Sequence, residues 1–462
     1  MADWLGMLAE IYAAVRNELF LFAAVFFLLG AIDEWAMDIA YFGMRVTGRA
    51  KTLGVDEPDL ASRRLQGGVA VFVPLWQEAA VIETTLRHAS VAWPQSEVRF
   101  YVGCYPNDPA TREAVLRAAK DDERIRIVLH DRVGPTSKAD CLNRLYRALE
   151  QDETTSGVKV RFVVLQDAED CIDPYALALI DRGMDRAEFV QLPVLALPLA
   201  GSPFIASHYS DEFAEAHGKA MVVRSALGHG VPGAGVGTAI ERGALTTLAK
   251  GQGGRPFAAD SLTEDYELGL NIAALGGRSV YLRARTRSGR LIATRSYFPD
   301  TIETAVRQKT RWVHGIALQS WDRMGWHGGP GAMWMTLRDR RGPFAALLLA
   351  IAYTLIAVTA FDLGAAVLGM HITEPLGPAT QIMLVVLLGS VVWRAVMRAA
   401  FTTREFGWRQ GLTSIARIPV SNIIAIMAGR RAGMAYWRSL KGEAPRWDKT
   451  EHRDHPALSH PV

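Results

Sequence analysis

Three acids crowd into four residues at Asp167-Ala168-Glu169-Asp170, directly after the apolar run 158–166 (VKVRFVVLQ). One acid at such a place would serve as a helix cap. Three carboxylates this close repel one another unless a cation neutralises them. All-oxygen ligands suit a hard divalent ion, Mg2+ or Mn2+. Further on, Ser261-Leu262-Thr263-Glu264-Asp265 opens the helical pattern YELGLNIAAL. Ser261 as N-cap and Glu264 at the third helical position fit a capping box, a use compatible with a catalytic one. Gln308-Lys309-Thr310-Arg311-Trp312 sets an amide, a fixed cation and an aromatic on one helical turn. That combination suits sugar and phosphate, although a solvated surface turn would read the same way. Pro232–Gly237 (PGAGVG) is a flexible loop that permits close backbone approach.

The elements that must position these groups are short apolar runs alternating with helical patterns. GGVAVFVP (67–74), VRFYVGC (98–104), IRIVLH (125–130), VKVRFVVLQ (158–166) and EFVQLPVLAL (188–197) read as strands. AVIETTLRHAS, ATREAVLRAAK and ADCLNRLYRALE read as helices between them. The alternation predicts an α/β domain with a mostly parallel sheet covered by helices on both faces. Ligands of such sheets bind at the carboxyl ends of the strands. The segments found there are Pro74-Leu75-Trp76-Gln77-Glu78, Tyr105-Pro106-Asn107-Asp108, Gly134-Pro135-Thr136-Ser137-Lys138 and Asp167–Asp170. Gly228–Gly233 fits G-x-G-x-x-G in letters only, because it follows a helical segment and contains Pro232. No Walker A, zincin or nucleophile-elbow pattern is present.

The chain of 462 residues is 50% apolar and 21% charged, which excludes disorder and collagen-like structure. A net charge of +3 argues against nucleic acid as a partner. Cys104, Cys141 and Cys171 are far apart and odd in number, so they read as buried thiols of a reduced compartment. The mean hydropathy of +0.08 suits a soluble enzyme, but the apolar residues are unevenly spread. Residues 19–32 carry no charge, and the apolar pattern continues to Met44 past Asp33, Glu34 and Asp38. Residues 343–361 and 375–393 are uncharged throughout, and a helix needs roughly 20 such residues to cross the hydrocarbon core. The link His371–Pro378 makes the second and third segments a hairpin. The acids of the first segment are expected at an interface or against protein. Arginines flank the segments on one side: Arg45, Arg49, Arg338, Arg340, Arg341, Arg394 and Arg398. That side is the cytosolic one by the positive-inside rule, which places the N-terminus outside. The stretch 412–428 holds Arg417, Pro419 and Asn422 and reads as an amphipathic helix on the cytosolic face. The tail 440–462, with His452, His455 and His460, reads as loose and not as a metal site.

These motifs in this order resemble family 2 glycosyltransferases of the GT-A fold, with the helix arrangement of processive synthases such as cellulose and hyaluronan synthase. The spellings VPLWQE, GCYPNDPAT, KADCLN, QDAED and VPGAGVGTA are similar to the bacteriophage N4 adsorption protein B family, an inner-membrane glycosyltransferase group. The resemblance covers about residues 15–440, and its larger members carry a further C-terminal regulatory domain that is expected to be absent here. It implies that Pro74, Trp76, Glu78, Lys138 and Asp167 line the nucleotide, and that Asp167 and Glu169 hold Mg2+ or Mn2+, with Asp170 as alternative ligand. It implies Asp265 as general base, next to Glu264. It implies Gln308, Arg311, Trp312 and Gly235 at the acceptor and diphosphate. The family's Asp-Asp-Gly-Ser run is replaced by Tyr105–Asp108, so Asp108 is the nearest acid for donor binding.

The resulting expectation is a membrane-bound, metal-dependent, inverting hexosyl or N-acetylhexosaminyl transferase. It would move sugar from a nucleotide donor, UDP first, to a growing surface or secreted polysaccharide. The alternatives are a single transfer to a polyprenyl phosphate and a non-catalytic scaffold of a surface-glycan export system. The expected partners are the donor, a glycan acceptor, the lipid bilayer and an outer-membrane export protein. The expected division is a membrane helix in 1–50, the cytosolic domain in 51–330, a membrane hairpin in 331–410 and an interfacial helix with a basic tail in 411–462. The expected location is the bacterial inner membrane.

Overall fold

The structure is a computed structural model and describes residues 2–326, 328–370, 375–443 and 455–459. His371–Glu374 of the hairpin link, and His452 and His460 of the tail, lie outside the described residues. The chain begins with helix α1 (Ala2–Val46). The strands that follow are β1 (Gly68–Pro74), β2 (Val98–Cys104), β3 (Ile125–Leu129), β4 (Val160–Leu165), β5 (Phe189–Gln191), β6 (Val194–Ala196), β7 (Thr238–Glu241), β8 (Ser279–Tyr281) and β9 (Thr294–Ser296). Seven of them form one sheet in the order β3-β2-β1-β4-β7-β5-β8. All neighbours are parallel except β7, which runs against both β4 and β5.

Side-chain alternation explains the unbroken apolar runs. Val69, Val71 and Val73 enter one buried cluster, while Ala70 and Phe72 enter a second on the opposite face. The intervening helices are α2 (Ile82–Ala92), α3 (Pro109–Ala119), α4 (Lys138–Ser156), α5 (Ala176–Gly183), α6 (Ser207–Glu215), α7 (Arg242–Gly251) and α8 (Glu264–Ala274). Helices α2, α3 and α5 supply the first cluster, and α4, α7 and α8 the second. This is the α/β, GT-A-like architecture that the resemblance implies.

One expected strand divides. The run 188–197 becomes β5 in the main sheet and β6 in a separate parallel ribbon with β9. Pro193 sits at the break, where it has no N–H to give a ladder; its carbonyl accepts from Thr294 N at 3.0 Å. The tail corrects a second expectation. His455 is 2% exposed, its Nε2 lies 3.2 Å from the Asp170 carbonyl, and its ring faces His88 at 6.4 Å. Residues 455–459 are therefore packed on the domain, because an imidazole fits the groove beside His88. The three cysteines are free and buried.

After β9 come α9 (Ile302–Trp312), α10 (Pro330–Arg340), α11 (Gly342–Val367), α12 (Pro378–Phe406) and α13 (Trp408–Ser439). Among the described residues, four helices, α1, α11, α12 and α13, are long and apolar enough to cross a membrane. The acids of α1 lie against protein. Asp33 takes Arg338 and Arg341, Glu34 takes Arg341, Arg338 (2.9 Å) and Arg394 (2.9 Å), and Asp38 takes Lys219 (2.5 Å). Trp334 and Trp393 add indole N–H bonds to Asp33 and Asp38, at 2.5 and 2.8 Å. Helix α13 runs well past both ends of 412–428 and continues through Pro419. Its Arg417 is 2% exposed and points at the α/β domain.

Candidate active site

The strand ends of the sheet and the N-terminus of α8 enclose a cavity of about 400 Å³. Pro74, Trp76, Glu78, Lys138, Asp167, Glu169, Asp170, Glu264, Asp265, Gln308, Arg311 and Trp312 all line it. Twelve residues chosen from five stretches of sequence thus meet in one place, because parallel strands deliver their carboxyl ends to one edge and the helices α8 and α9 close over it.

The acid loop is fixed from below. Thr85 Oγ1 donates to the Ala168 carbonyl, and Asp170 Oδ2 accepts Asp167 N at 2.8 Å. Asp170 is 1% exposed and spends its carboxylate on closing the loop. Burial, then the charges of Glu169 and Asp167, push its acid well above the usual range. Asp167 and Glu169 are only half buried and reach the cavity. Asp167 Oδ1 meets Lys138 Nζ at 2.6 Å. Lys138 begins α4, whose N-cap Ser137 accepts from Asp140 N at 3.1 Å. Burial pulls the Lys138 ammonium down, but Asp167, Glu264 and Asp265 outweigh it and hold it charged.

Glu264 and Asp265 open α8. The predicted capping box does not form: Thr263 is the N-cap and makes no side-chain cap bond, while Ser261 donates to Glu267 Oε1 at 3.1 Å. Glu264 is thereby left for other use. Its Oε1 is buried without a hydrogen-bond partner, as is Gln308 Oε1 across the cavity. Burial first, then Asp265, raise the Glu264 carboxyl to about 7. Burial likewise raises Asp265, against the pull of Lys138. Asp265 Oδ1 accepts its neighbour's N–H, Tyr266 N, at 2.7 Å. The loop 232–237 lies directly on this residue. A Cβ on Gly235 (φ +81°) would stand 2.3 Å from Asp265 Oδ2, and one on Gly233 would stand 2.4 Å from the Asp265 carbonyl. Only glycine fits there. Gly235 is therefore a neighbour of Asp265, and Ala234 and Val236 reach the cavity instead.

Asp108 does not line the cavity. It caps α3 through Thr111 N (3.4 Å) and accepts Gln77 N at 2.5 Å, while Thr111 Oγ1 accepts Glu78 N at 2.9 Å. Gln77 has φ +54°, so the turn that presents Trp76 and Glu78 is held open by these bonds. The geometry makes Asp108 a support of the loop 74–78.

The far wall was not legible in the sequence. Phe213 and Phe298 line the cavity beside Trp312, at ring distances of 6.1 and 6.2 Å from it, and Tyr209 stands behind at 5.9 Å. This aromatic wall suits the apolar face of a sugar ring. A π-helical turn, Val313–Gln319, follows Trp312 at once, a form that recurs at functional sites. Asp167 and Glu169 offer two hard oxygen ligands. Among the described residues, no three or more His, Cys, Asp or Glu side chains are grouped so that they could hold a metal ion by themselves. That donor set fits an ion whose remaining ligands are phosphate oxygens and water, the manner in which Mg2+ is bound.

Known proteins similar to this chain include bacteriophage adsorption protein B of Escherichia coli K12 and bacteriophage N4 adsorption protein B of E. coli O157:H7. Each is 31% identical over 99% of this chain and 64% of its own length, so the chain spans less than two thirds of these relatives. Similar solved structures include the mannosyltransferase PcManGT from Pyrobaculum calidifontis in complex with GDP-Man and Mn2+. It has 16% identity and a TM-score of 0.49, and 85% of this chain and 98% of that one are covered. Another is glucosyl-3-phosphoglycerate synthase from Mycobacterium tuberculosis with Mn2+, UDP and phosphoglyceric acid. It has 16% identity and a TM-score of 0.37, with 61% and 88% covered. The family model described as glycosyltransferase-like family 2 matches residues 66–315. With more than half of its length matched in this way, and the matched part carrying the strand-end cavity, the chain belongs to glycosyltransferase-like family 2.

Proposed function

We propose that the protein is an inverting, metal-dependent glycosyltransferase of the bacterial inner membrane that uses a nucleoside diphosphate sugar, UDP-linked first. The observation that carries this reading is the meeting of Asp167, Lys138, Asp265 and Arg311 around one cavity. In it, Pro74, Trp76 and Glu78 hold the nucleotide, and Lys138 and Arg311 face the diphosphate. Mg2+ or Mn2+ held by Asp167 and Glu169 would supply positive charge to the departing diphosphate. Asp265 takes the proton of the acceptor hydroxyl as that oxygen attacks the anomeric carbon. Its carboxylate is set for this by the Tyr266 N–H and by the glycine loop pressed on it. Gln308 and Trp312, with Phe213 and Phe298, hold the acceptor sugar. The N-terminus lies outside the cell, the catalytic domain in the cytosol, and α13 along the cytosolic face, where Arg417 is buried against the domain. The acceptor is a growing glycan held at the membrane and bound for the cell surface, where an outer-membrane export partner would receive it.

A second reading, one transfer to a polyprenyl phosphate, is favoured by the cavity wall. All of its lining residues lie between 74 and 312, outside α1, α11, α12 and α13. The test is a screen of nucleotide sugars against the purified chain with and without Mn2+, followed by product sizing on a gel. Long products support polymer growth, one added sugar supports the second reading, and no turnover of any donor defeats both.

A further inference from the structure

The helix that presents Gln308, Arg311 and Trp312 is tied to the membrane-embedded part by a residue of its own motif. Lys309 is 9% exposed and points away from the cavity. Its Nζ meets both carboxylate oxygens of Glu212, at 2.7 and 2.6 Å, and lies 5.2 Å from the centre of the Tyr209 ring. Glu212 Oε1 also accepts Ser421 Oγ of α13 at 2.6 Å. The adjacent acid, Asp211, is wholly buried and takes Arg417 of α13 at 2.8 Å, Arg398 of α12 at 3.2 Å and Thr402 of α12 at 3.3 Å. Arg417 and Ser421 are four residues apart, so α13 turns one face to α6. Two neighbouring carboxylates on a nine-residue helix thus join the site helix α9 to two of the four membrane-type helices. Arg417, an arginine inside an apolar stretch, acquires a reason.

The geometry points to Lys309 and Glu212 as positioning residues through which α13 sets the placement of Arg311 and Trp312 over the cavity. This rests on the transferase reading for the meaning of that placement, while the tie itself is a matter of packing. The lysine of this pair is buried and the glutamate half-buried, so the pair holds one geometry chiefly because the lysine is costly to leave unpaired. Displacing α13 in the bilayer would then move the diphosphate and acceptor side of the site and leave the strand ends, with Asp167 and Lys138, where they are.

The test uses the full chain in lipid nanodiscs, with Lys309→Met, Glu212→Gln, Ser421→Ala and the conservative Lys309→Arg. Amide hydrogen exchange is followed in 302–312 and in 68–74, and the affinity for UDP with Mn2+ is measured by calorimetry. Loss of the tie should speed exchange of 302–312 by about tenfold or more in Lys309→Met and Glu212→Gln, with 68–74 unchanged, since local openings are read segment by segment. Ser421→Ala should do so by a smaller factor, and Lys309→Arg should restore the wild-type pattern. UDP–Mn2+ affinity should fall in step, through Arg311. Unchanged exchange of 302–312, or equal acceleration in both segments, overturns the proposal. A wild-type chain that binds no UDP–Mn2+ overturns the transferase reading instead, and the exchange arm still decides the tie.

Discussion

The cavity and the charge belt around Glu34 use the same residue types to opposite ends. In the belt, Asp33, Glu34, Asp38 and Glu215 face Arg338, Arg341, Arg394 and Lys219, acid matched to cation. In the cavity, seven carboxylates, Glu78, Asp167, Glu169, Asp170, Asp260, Glu264 and Asp265, line the walls beside two cations, Lys138 and Arg311. Balanced charge buried between helices fixes a geometry. Surplus negative charge in a cleft calls for a cation from outside and keeps carboxyl groups protonatable near neutral pH.

The largest effect that would break this comparison is on turnover. Asp265→Asn should lower the rate with the donor found in the screen by about 10²–10⁴-fold, as loss of a general base does, and leave UDP–Mn2+ binding in place. Wild-type activity in that variant would remove the cavity's claim to catalysis. On the belt side, Lys219→Met takes from Asp38 the cation it holds at 2.5 Å and from Glu215 the one at 2.7 Å, leaving Glu215 with Arg394 and Asp38 with the Trp393 indole. It should cost about 3–5 kcal/mol in the unfolding of the nanodisc-held protein, the scale of a broken buried pair. A loss no greater than that of an exposed pair, about 1 kcal/mol or less, would mean the belt is balanced on paper only.

A third test sharpens the surplus itself. UDP with Mn2+ at roughly 100 times its dissociation constant should stabilise the chain by about 2.7 kcal/mol, and a chelator should reverse this. Asp167→Asn should abolish the gain, which thermal unfolding would show. The smallest effect is a slope. Glu264 binds its proton near pH 7 when folded, against 4.5 ordinarily. Between these values the folded chain holds more protons than the unfolded one, so stability rises as pH falls from about 7 towards 4.5 and is lost again on going up. Glu264→Gln should flatten that slope, and an unchanged profile would place the titration elsewhere.

What could be read in the sequence divides along the same line. Strand ends were legible because β1, β2 and β4 are buried on both faces and end sharply at Pro74, Cys104 and Leu165, so the polar residues that follow stand out. The first-helix acids were legible as a problem, since charge in an apolar run demands partners. Their partners were not, because Arg338 and Lys219 are brought near by tertiary folding alone. The aromatic wall was hidden for the same reason: Tyr209 and Phe213 look like ordinary core positions of a helix until Phe298 and Trp312 arrive. The place of Asp108 was not legible because an acid after a strand serves equally as a ligand or as a cap, and here the N–H groups of Gln77 and Thr111 claim it.

The belt also dictates an order of manufacture. A ribosome releases α1 first, with Asp33, Glu34 and Asp38 already in it, yet the arginine that bonds Asp33 follows 305 residues later and the tryptophan that bonds Asp38 follows 355 residues later. Lys219 arrives before both, 181 residues after Asp38, carried by the α/β domain. Until then three acids at a membrane-type helix have no counterions from their own chain, a costly state in a bilayer. The first helix to be made is therefore the last to have its ion pairs completed. A chain cut before Arg394 leaves Glu34 short of one of its three arginines.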